Sequence, residues 1–352
     1  MKRLLYILVS ALLVAFVPSC GKNQGPGEPH KVDPVTPVVP EDEEKPAAAT
    51  TTLLTLLNEK IAEYGNDASV PTNHVFICAH RANTYEAYLN QIPENSIPNI
   101  EMAIAKGADM VELDVRPTKD GVLVLMHDPT VNATTNGKGN VDTYTYEELC
   151  NLEMRARGAS TYYKVNGQPV RVPTLEEALA ACKDKIYVNL DLANKNCSPA
   201  GVVRAIQNTG TVGQVMIYGA NGTSEQKEYI SKGYERCGDW LAIHPYISKP
   251  EDIDSYRTGY YDCAKLFQYN YTGYYTPTID KFGSKCHAQG ALSYSNSLDY
   301  DSQLRTWYTN YYQKNLTGSC AVMDKFIASG SDFVQTDMCE LAHLYLKAKG
   351  LR

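Results

Sequence analysis

The chain has 352 residues, with 33 Lys+Arg against 40 Asp+Glu, so its formal charge is −7. At 43% hydrophobic and 21% charged it has the composition of a folded protein with ample core, which excludes a disordered chain. A net-acidic chain lacks the diffuse basic field on which nucleic-acid binding rests, so no nucleic-acid partner is expected. Tyrosine is over-used, 26 against 6 Phe and 2 Trp, which suits surface and rim positions where a polar tip stays wet.

Met1-Lys2-Arg3 is a short basic start, followed by the apolar run Leu4 to Val17. At about 1.5 Å per residue that run reaches about 21 Å, short of a bilayer's hydrocarbon core of about 30 Å. It is predicted to be an export signal covering residues 1–19 rather than a permanent span. Val17-Pro18-Ser19-Cys20-Gly21 resembles a bacterial lipobox, with Cys20 as the lipidated residue, although Pro18 departs from the usual small or aliphatic choice. Residues 20–52 then carry Pro26, Pro29, Pro34, Pro37, Pro40, Pro46 and the acidic cluster Glu41-Asp42-Glu43-Glu44. Such a segment buries no core and reads as an extended spacer. The expected product is an exported protein, lipid-anchored in the bacterial cell envelope, with its globular part over residues 53–352.

Leu53 to Tyr64 is an amphipathic helix candidate. From His74 onward, short apolar runs alternate with helical patterns. Strands are predicted at Val75–Ala79, Met110–Val115, Val122–Met126, Ile186–Leu192, Val215–Tyr218, Leu241–His244, Leu266–Tyr269, Ala291–Tyr294 and Phe333–Gln335. Helices are predicted at Ser96–Lys106, Leu175–Cys182, Pro199–Asn208, Ser224–Lys232 and Met323–Ala328. This alternation over roughly 280 residues predicts an α/β chain with a parallel sheet, of the size of a (β/α)8 TIM barrel. Nine strand candidates compete for eight places, and Val122–Met126 is the one to set aside. A doubly wound sheet is the alternative, but no G-x-G-x-x-G follows the first strand. Thr134 to Pro173 breaks the rhythm and reads as an insertion above the barrel mouth. Besides Cys20 there are nine cysteines, an odd number whose pairing the sequence does not reveal.

Four places carry chemistry. Ala79-His80-Arg81 ends an apolar strand, where a barrel enzyme keeps its reactive groups. Histidine moves protons near neutral pH, and arginine offers a planar fork to phosphate. Glu112 and Asp114, at i and i+2 on the next strand, share one face. Two acids on an apolar strand need a cation or a basic partner. Their oxygens suit Ca²⁺ or Mg²⁺, and a structural salt bridge is the other reading. His127-Asp128 ends a further apolar run and supplies a second imidazole, with Asp128 open to a turn or capping role. Asp191 ends another strand and completes a third acid.

In order, Ala79-His80-Arg81, Pro93-Glu94-Asn95-Ser96, Gly107-Ala108-Asp109 through Glu112-Leu113-Asp114-Val115, Thr118-Lys119-Asp120-Gly121 and His127-Asp128 closely resemble the glycerophosphodiester phosphodiesterase family. The similarity continues in Val172-Pro173-Thr174-Leu175-Glu176-Glu177 and in Gly330-Ser331-Asp332 through Asp337. The resemblance implies a metal-dependent hydrolase on an eight-stranded barrel that cleaves glycerophosphodiesters to sn-glycerol 3-phosphate and an alcohol. It implies His80 and His127 as the acid–base pair, Arg81 as a phosphate clamp, and Glu112, Asp114 and Asp191 as ligands of one divalent ion, Ca²⁺ or Mg²⁺. Glu94 and Asn95 would support the mouth of the first strand on the substrate-binding side, holding Arg81 in place. Ala82 stands where the family has Gly, and Ala193 where it has a lysine. Lys195 is the nearest substitute, in a different register. Tyr294 stands in for a tryptophan. A tethered protein that captures lipid headgroups without turnover, or a phosphodiesterase of the sphingomyelinase D kind, are the competing readings. The tyrosines of 256–261 and 269–275 suggest a rim able to hold a quaternary ammonium, against a plain surface role.

Overall fold

The structure, a computed structural model, describes residues 51–65, 67, 69–192, 196–219, 242–247, 252–256, 264–269, 282–296, 298, 301–313 and 318–352. The expected export signal, Cys20, nearly all of the linker, the helix at Ser224–Lys232, Ala193, Lys195 and most of the tyrosine-rich stretches lie outside the described residues. No helix among the described residues is long and apolar enough to cross a membrane.

Eleven strands are described: β1 (Phe76–Ala79), β2 (Met110–Pro117), β3 (Leu123–Leu125), β4 (Lys164–Val165), β5 (Gln168–Pro169), β6 (Tyr187–Asp191), β7 (Val215–Gly219), β8 (Ala242–Ile247), β9 (Leu266–Tyr269), β10 (Leu292–Asn296) and β11 (Phe333–Thr336). Eight of them pair in parallel in the order β1-β2-β6-β7-β8-β9-β10-β11, and β11 pairs back to β1. The sheet is therefore a closed barrel, and the doubly wound alternative is excluded. Strand β3 is the supernumerary one: it runs antiparallel to the second half of β2, with Leu125 opposite Val115.

Side-chain alternation sorts the core into two layers. On β1, Ile77 and Ala79 face outward with Val111, Leu113, Val188, Leu190, Val215, Ile217 and Val334 against the helices. Phe76, Cys78, Met110, Tyr187, Met216, Leu266, Leu292, Tyr294 and Phe333 fill the interior. Helix α1 (Leu53–Tyr64) closes this interior at one end, burying Leu53, Leu56, Leu57 and Tyr64 in the same cluster. The spacing i, i+3, i+4 puts those side chains on one face. Thr52 caps its first turn, and Gly65 ends it in the left-handed region. The Tyr64 hydroxyl donates to Asp332 Oδ1 at 2.5 Å, and its ring stacks on His287 with centroids 3.6 Å apart.

Helix α2 (Tyr85–Leu89) follows β1, and α3 (Ile97–Ala105) starts from the Ser96 cap with Pro98 in its first turn. The insertion folds around α4 (Tyr146–Leu149) and the β4–β5 hairpin. Asn166 and Gly167 both have positive φ at the hairpin turn, the conformation that an Asn-Gly pair adopts readily. Val131, Val141, Leu149, Met154 and Val172 give this tract its own small core with Val124 and Met126. Helix α5 (Leu175–Cys182) begins in a capping box between Thr174 and Glu177, and α6 (Pro199–Thr209) follows β6. The remaining described helices are α7 (Ile253–Tyr256), α8 (Phe282–Ala288), α9 (Asp301–Tyr308), α10 (Ala321–Ala328) and α11 (Cys339–Ala348). Cys78, Cys150, Cys182, Cys197, Cys286, Cys320 and Cys339 are all free thiols.

Candidate active site

Strand β1 ends in a tight turn over His80–Ala82, in which Arg81 and Ala82 both have positive φ, 51° and 61°. This turn aims the Arg81 backbone N–H at Glu112 Oε2, 2.9 Å away. Left-handed backbone costs a residue with a Cβ about 1–2 kcal/mol. A glycine at Ala82 would forfeit about 0.5–1 kcal/mol in chain entropy and about 0.8 kcal/mol of methyl burial. Ala82 is fully buried, so the opposing contributions nearly balance and the turn accommodates alanine.

Glu112 and Asp114 do share one face of β2, as the i, i+2 spacing requires. The β2–β6 ladder sets Asp114 beside Asp191. Glu112, Asp114 and Asp191 each present an oxygen within 4.8 Å of the others. Glu112 is 4% exposed and Asp114 1%, so two carboxylates are held together away from water. Three hard oxygen donors around one point fit a divalent Ca²⁺ or Mg²⁺ ion.

Asn95 has both ends of its carboxamide committed to Asp114: Nδ2 donates to Oδ2 at 2.8 Å, and Oδ1 accepts from the Asp114 N–H at 3.0 Å. It is 2% exposed. Its backbone N–H donates to the Arg81 carbonyl at 3.0 Å, supporting the turn as expected, while its side chain fixes the rotamer of an acid in the carboxylate cluster. Glu94 holds Arg81, Nη1 to Oε1 at 3.0 Å, and Arg81 Nε lies 3.5 Å from Asp114 Oδ2. The guanidinium thus sits against the cluster.

His80 Nδ1 lies 2.8 Å from Asp337 Oδ1, and Nε2 lies 4.0 Å from Glu112 Oε2. At His80, burial works against the charged form. The Asp337 hydrogen bond and charge, with Glu112 beyond, outweigh it and push its pKa up to about 9. Asp337 also accepts from Asn83 Nδ2 at 2.8 Å, and Asn83 in turn accepts from Asn99 Nδ2 at 2.8 Å.

His127 follows β3. Its Nδ1 lies 2.7 Å from Asp128 Oδ1, and its carbonyl accepts from Arg116 Nε at 2.9 Å and Nη2 at 2.6 Å. Arg116 is the next same-face residue of β2 after Asp114. Asp128 is held down to about 2, first by its hydrogen bond to Arg157, with burial opposing and His127 adding. Arg157 comes from the insertion, so this tract reaches Glu94 and Asp128.

The sequence-predicted Arg81, Glu94, Glu112, Asp114 and Asp191, with His80, therefore meet at the carboxyl ends of β1, β2 and β6, and His127 stands over the same end. Lys195 lies outside the described residues. Asp337, Arg116 and Arg157 were not singled out. Asp337 had a signal, an acid immediately after the last strand. Arg116 had the i, i+2 face of Glu112 and Asp114. Arg157 had none, because a tract without periodicity does not say where its side chains reach.

The profile of the Glycerophosphoryl diester phosphodiesterase family matches residues 80–217, which carry most of this constellation. Residues 80–217 thus form a domain that matches the glycerophosphoryl diester phosphodiesterase family. Within this family, a glycerophosphodiester phosphodiesterase of Bacillus altitudinis is 40% identical over 120 residues, 34% of this chain and 45% of that one. Glycerophosphodiester phosphodiesterase 1 of Mus musculus is 40% identical over 113 residues, 32% of this chain and 31% of that one. The matched part spans less than half the length of these curated relatives. A crystal structure of a family member from Parabacteroides distasonis superposes with a TM-score of 0.60 at 21% identity, covering 83% of this chain and 92% of that one. A phosphodiesterase of Oleispira antarctica, solved in complex with the product sn-glycerol-3-phosphate, superposes with a TM-score of 0.55 at 17% identity, covering 77% and 96%. At these identities the superpositions establish the barrel. Tyr294 is fully buried in the barrel interior, and its hydroxyl donates to Gln335 Oε1. It takes no place at the mouth.

Proposed function

We propose that the chain hydrolyses glycerophosphodiesters to sn-glycerol 3-phosphate and an alcohol, with His80 and His127 as its acid–base pair and one divalent ion, Ca²⁺ or Mg²⁺, on Glu112, Asp114 and Asp191. The observation that carries this reading is the meeting of three carboxylates within 4.8 Å at a barrel end that also bears two carboxylate-oriented histidines and an arginine. The family match over residues 80–217 and the product bound by the Oleispira phosphodiesterase support it.

A phosphodiester carries a negative charge and repels an oxygen nucleophile until that charge is neutralised. Arg81, pinned by Glu94, places its guanidinium on the phosphate side of the cluster. A divalent ion bound to the three acids supplies Lewis-acid stabilisation of the charge that develops on phosphorus oxygens. In each histidine the Nδ1–H donates to a carboxylate, which leaves Nε2 for proton transfer. One Nε2 takes the proton of the substrate's neighbouring glycerol hydroxyl as its oxygen bonds to phosphorus. The other gives a proton to the departing alcohol as its P–O bond breaks. Water then opens the cyclic phosphate with the two roles reversed. We further propose export and lipid anchoring through Cys20, supported by the pattern of residues 1–52; lipid labelling that survives Cys20→Ser would refute the anchor.

The deciding experiment measures glycerol 3-phosphate released from a panel of glycerophosphodiesters with and without Ca²⁺ or Mg²⁺. Metal-dependent release supports the proposal. Binding without release would make the chain a capture protein, and release from sphingomyelin-like substrates alone would make it the other phosphodiesterase.

A further inference from the structure

The side-chain partners of Arg157 lie far from it in sequence. Its Nη2 donates to Glu94 Oε1 at 2.8 Å and its Nε lies 3.3 Å from Oε2, so it grips that carboxylate with two prongs. Its Nη1 donates to Asp128 Oδ2 at 2.9 Å. Both acids have a second duty. Glu94 Oε1 also accepts from Arg81 at 3.0 Å, and Asp128 Oδ1 is the partner of His127 Nδ1 at 2.7 Å. One continuous chain of charge-assisted hydrogen bonds therefore runs from Arg81 through Glu94, Arg157 and Asp128 to His127. Its two ends lie on the β1 turn and after β3, and only the insertion supplies the middle.

The link has chemical content. An ionised Asp128 only accepts hydrogen bonds, so the ring nitrogen facing it must carry the proton, and the basic lone pair of neutral His127 is then on Nε2. The His127 backbone is secured separately by Arg116. The side chain is not: His127 is 40% exposed and Asp128 25%. With Arg157 gone, Asp128 keeps only His127 as a side-chain partner among the described residues, and nothing else there stops it turning toward solvent.

We propose that Arg157 is a positioning residue that couples the two halves of the site, holding Glu94 against Arg81 and Asp128 against His127 with one guanidinium. It acts through these acids and does not itself touch the reacting atoms. The kinetic side of this proposal rests on the function proposed above; the structural side does not. A lysine is a point charge and cannot grip Glu94 with two nitrogens while reaching Asp128 with a third.

The test compares the full chain with Arg157→Ala, Arg157→Lys and, as a control inside the same insertion, Arg155→Ala, whose Nη2 donates to the Asn132 carbonyl. Two readouts are taken, the ¹⁵N imidazole spectrum of His127 and steady-state turnover. In Arg157→Ala, His127 should lose its fixed Nδ1–H tautomer, and kcat should fall about 10–100-fold with KM changed less than about threefold. Arg157→Lys should recover only part of either, and Arg155→Ala should match the unmodified chain in both. An unchanged His127 spectrum in Arg157→Ala and Arg157→Lys would overturn the proposal, as would a raised KM with kcat kept, which would make Arg157 a substrate contact. If the unmodified chain releases no glycerol 3-phosphate, the functional reading fails, and the spectra alone decide the positioning role.

Discussion

His80 and Asp337 face each other across the seam where the barrel closes: Nδ1 of the first strand's histidine lies 2.8 Å from Oδ1 of the acid that follows the last strand. β1 and β11 are paired in register from Phe76–Phe333 to Ala79–Thr336, so the next residue of each strand arrives at the same rim. The imidazole is thereby oriented by closure of the fold itself.

Removing Asp337 therefore tests the orientation of His80. Asp337→Ala should lower kcat by about 10²-fold, within the range general acid–base groups contribute, and leave the circular dichroism spectrum unchanged. A variant with full turnover would show that His80 needs no partner.

Asn95 offers a test of the carboxylate cluster away from substrate. Its carboxamide holds Asp114 at two points, and loss of such an outer partner costs about 10–100-fold in metal affinity. Calorimetric titration of Asn95→Ala with Ca²⁺ and Mg²⁺ should show that weakening. Chelator treatment should abolish turnover of the unmodified chain, and either ion should restore it. Equal affinity in both chains would detach Asn95 from metal binding.

Stability should respond to pH through Asp301. Burial first, then the charge of Asp337, pushes its carboxyl from an ordinary 3.8 up to about 7. Because the folded value is raised, its contribution is fully present below pH 4 and is lost as pH climbs to about 7. Denaturant midpoints should decline over that window, and Asp301→Asn should flatten the decline. Asn can still accept from the Asp337 N–H while donating to Thr336 Oγ1, the two groups Asp301 now meets. An equal slope in the variant would assign the pH dependence elsewhere.

Gly283, in α8, packs where no side chain fits. A Cβ there would fall 2.2 Å from the Gly330 carbonyl oxygen and 2.3 Å from that of Ser329. Both obstacles are backbone, so the helix must shift. Gly283→Ala should lose about 1–3 kcal/mol in urea unfolding. A loss under about 0.5 kcal/mol, the range of ordinary surface changes, would mean the helix moves freely.

Much of this was legible in one dimension. Apolar runs, the strand's two-residue repeat and helical spacing are local properties, so the eight parallel strands, the shared face of Glu112 and Asp114 and the boundaries of α1 and α5 could be read directly from residue order. So could the extra strand, whose run leads into His127 and which pairs antiparallel with β2. The resemblance placed Glu112, Asp114 and Asp191 together because their motifs each end or occupy a strand, and barrel strands deliver their carboxyl ends to one rim. What the tertiary structure alone decided are the partners. Asn95 met Asp114 with its carboxamide, and Tyr294 met Gln335 inside the barrel. Asp337 met His80 over 257 residues of sequence separation, and Arg157 crossed from an unpatterned insertion to reach Glu94 and Asp128. Hydrogen bonds between distant side chains depend on angstrom-scale positions after strand pairing, closure and loop packing. No local periodicity carries that information, because it comes into being only when the ends of the barrel meet.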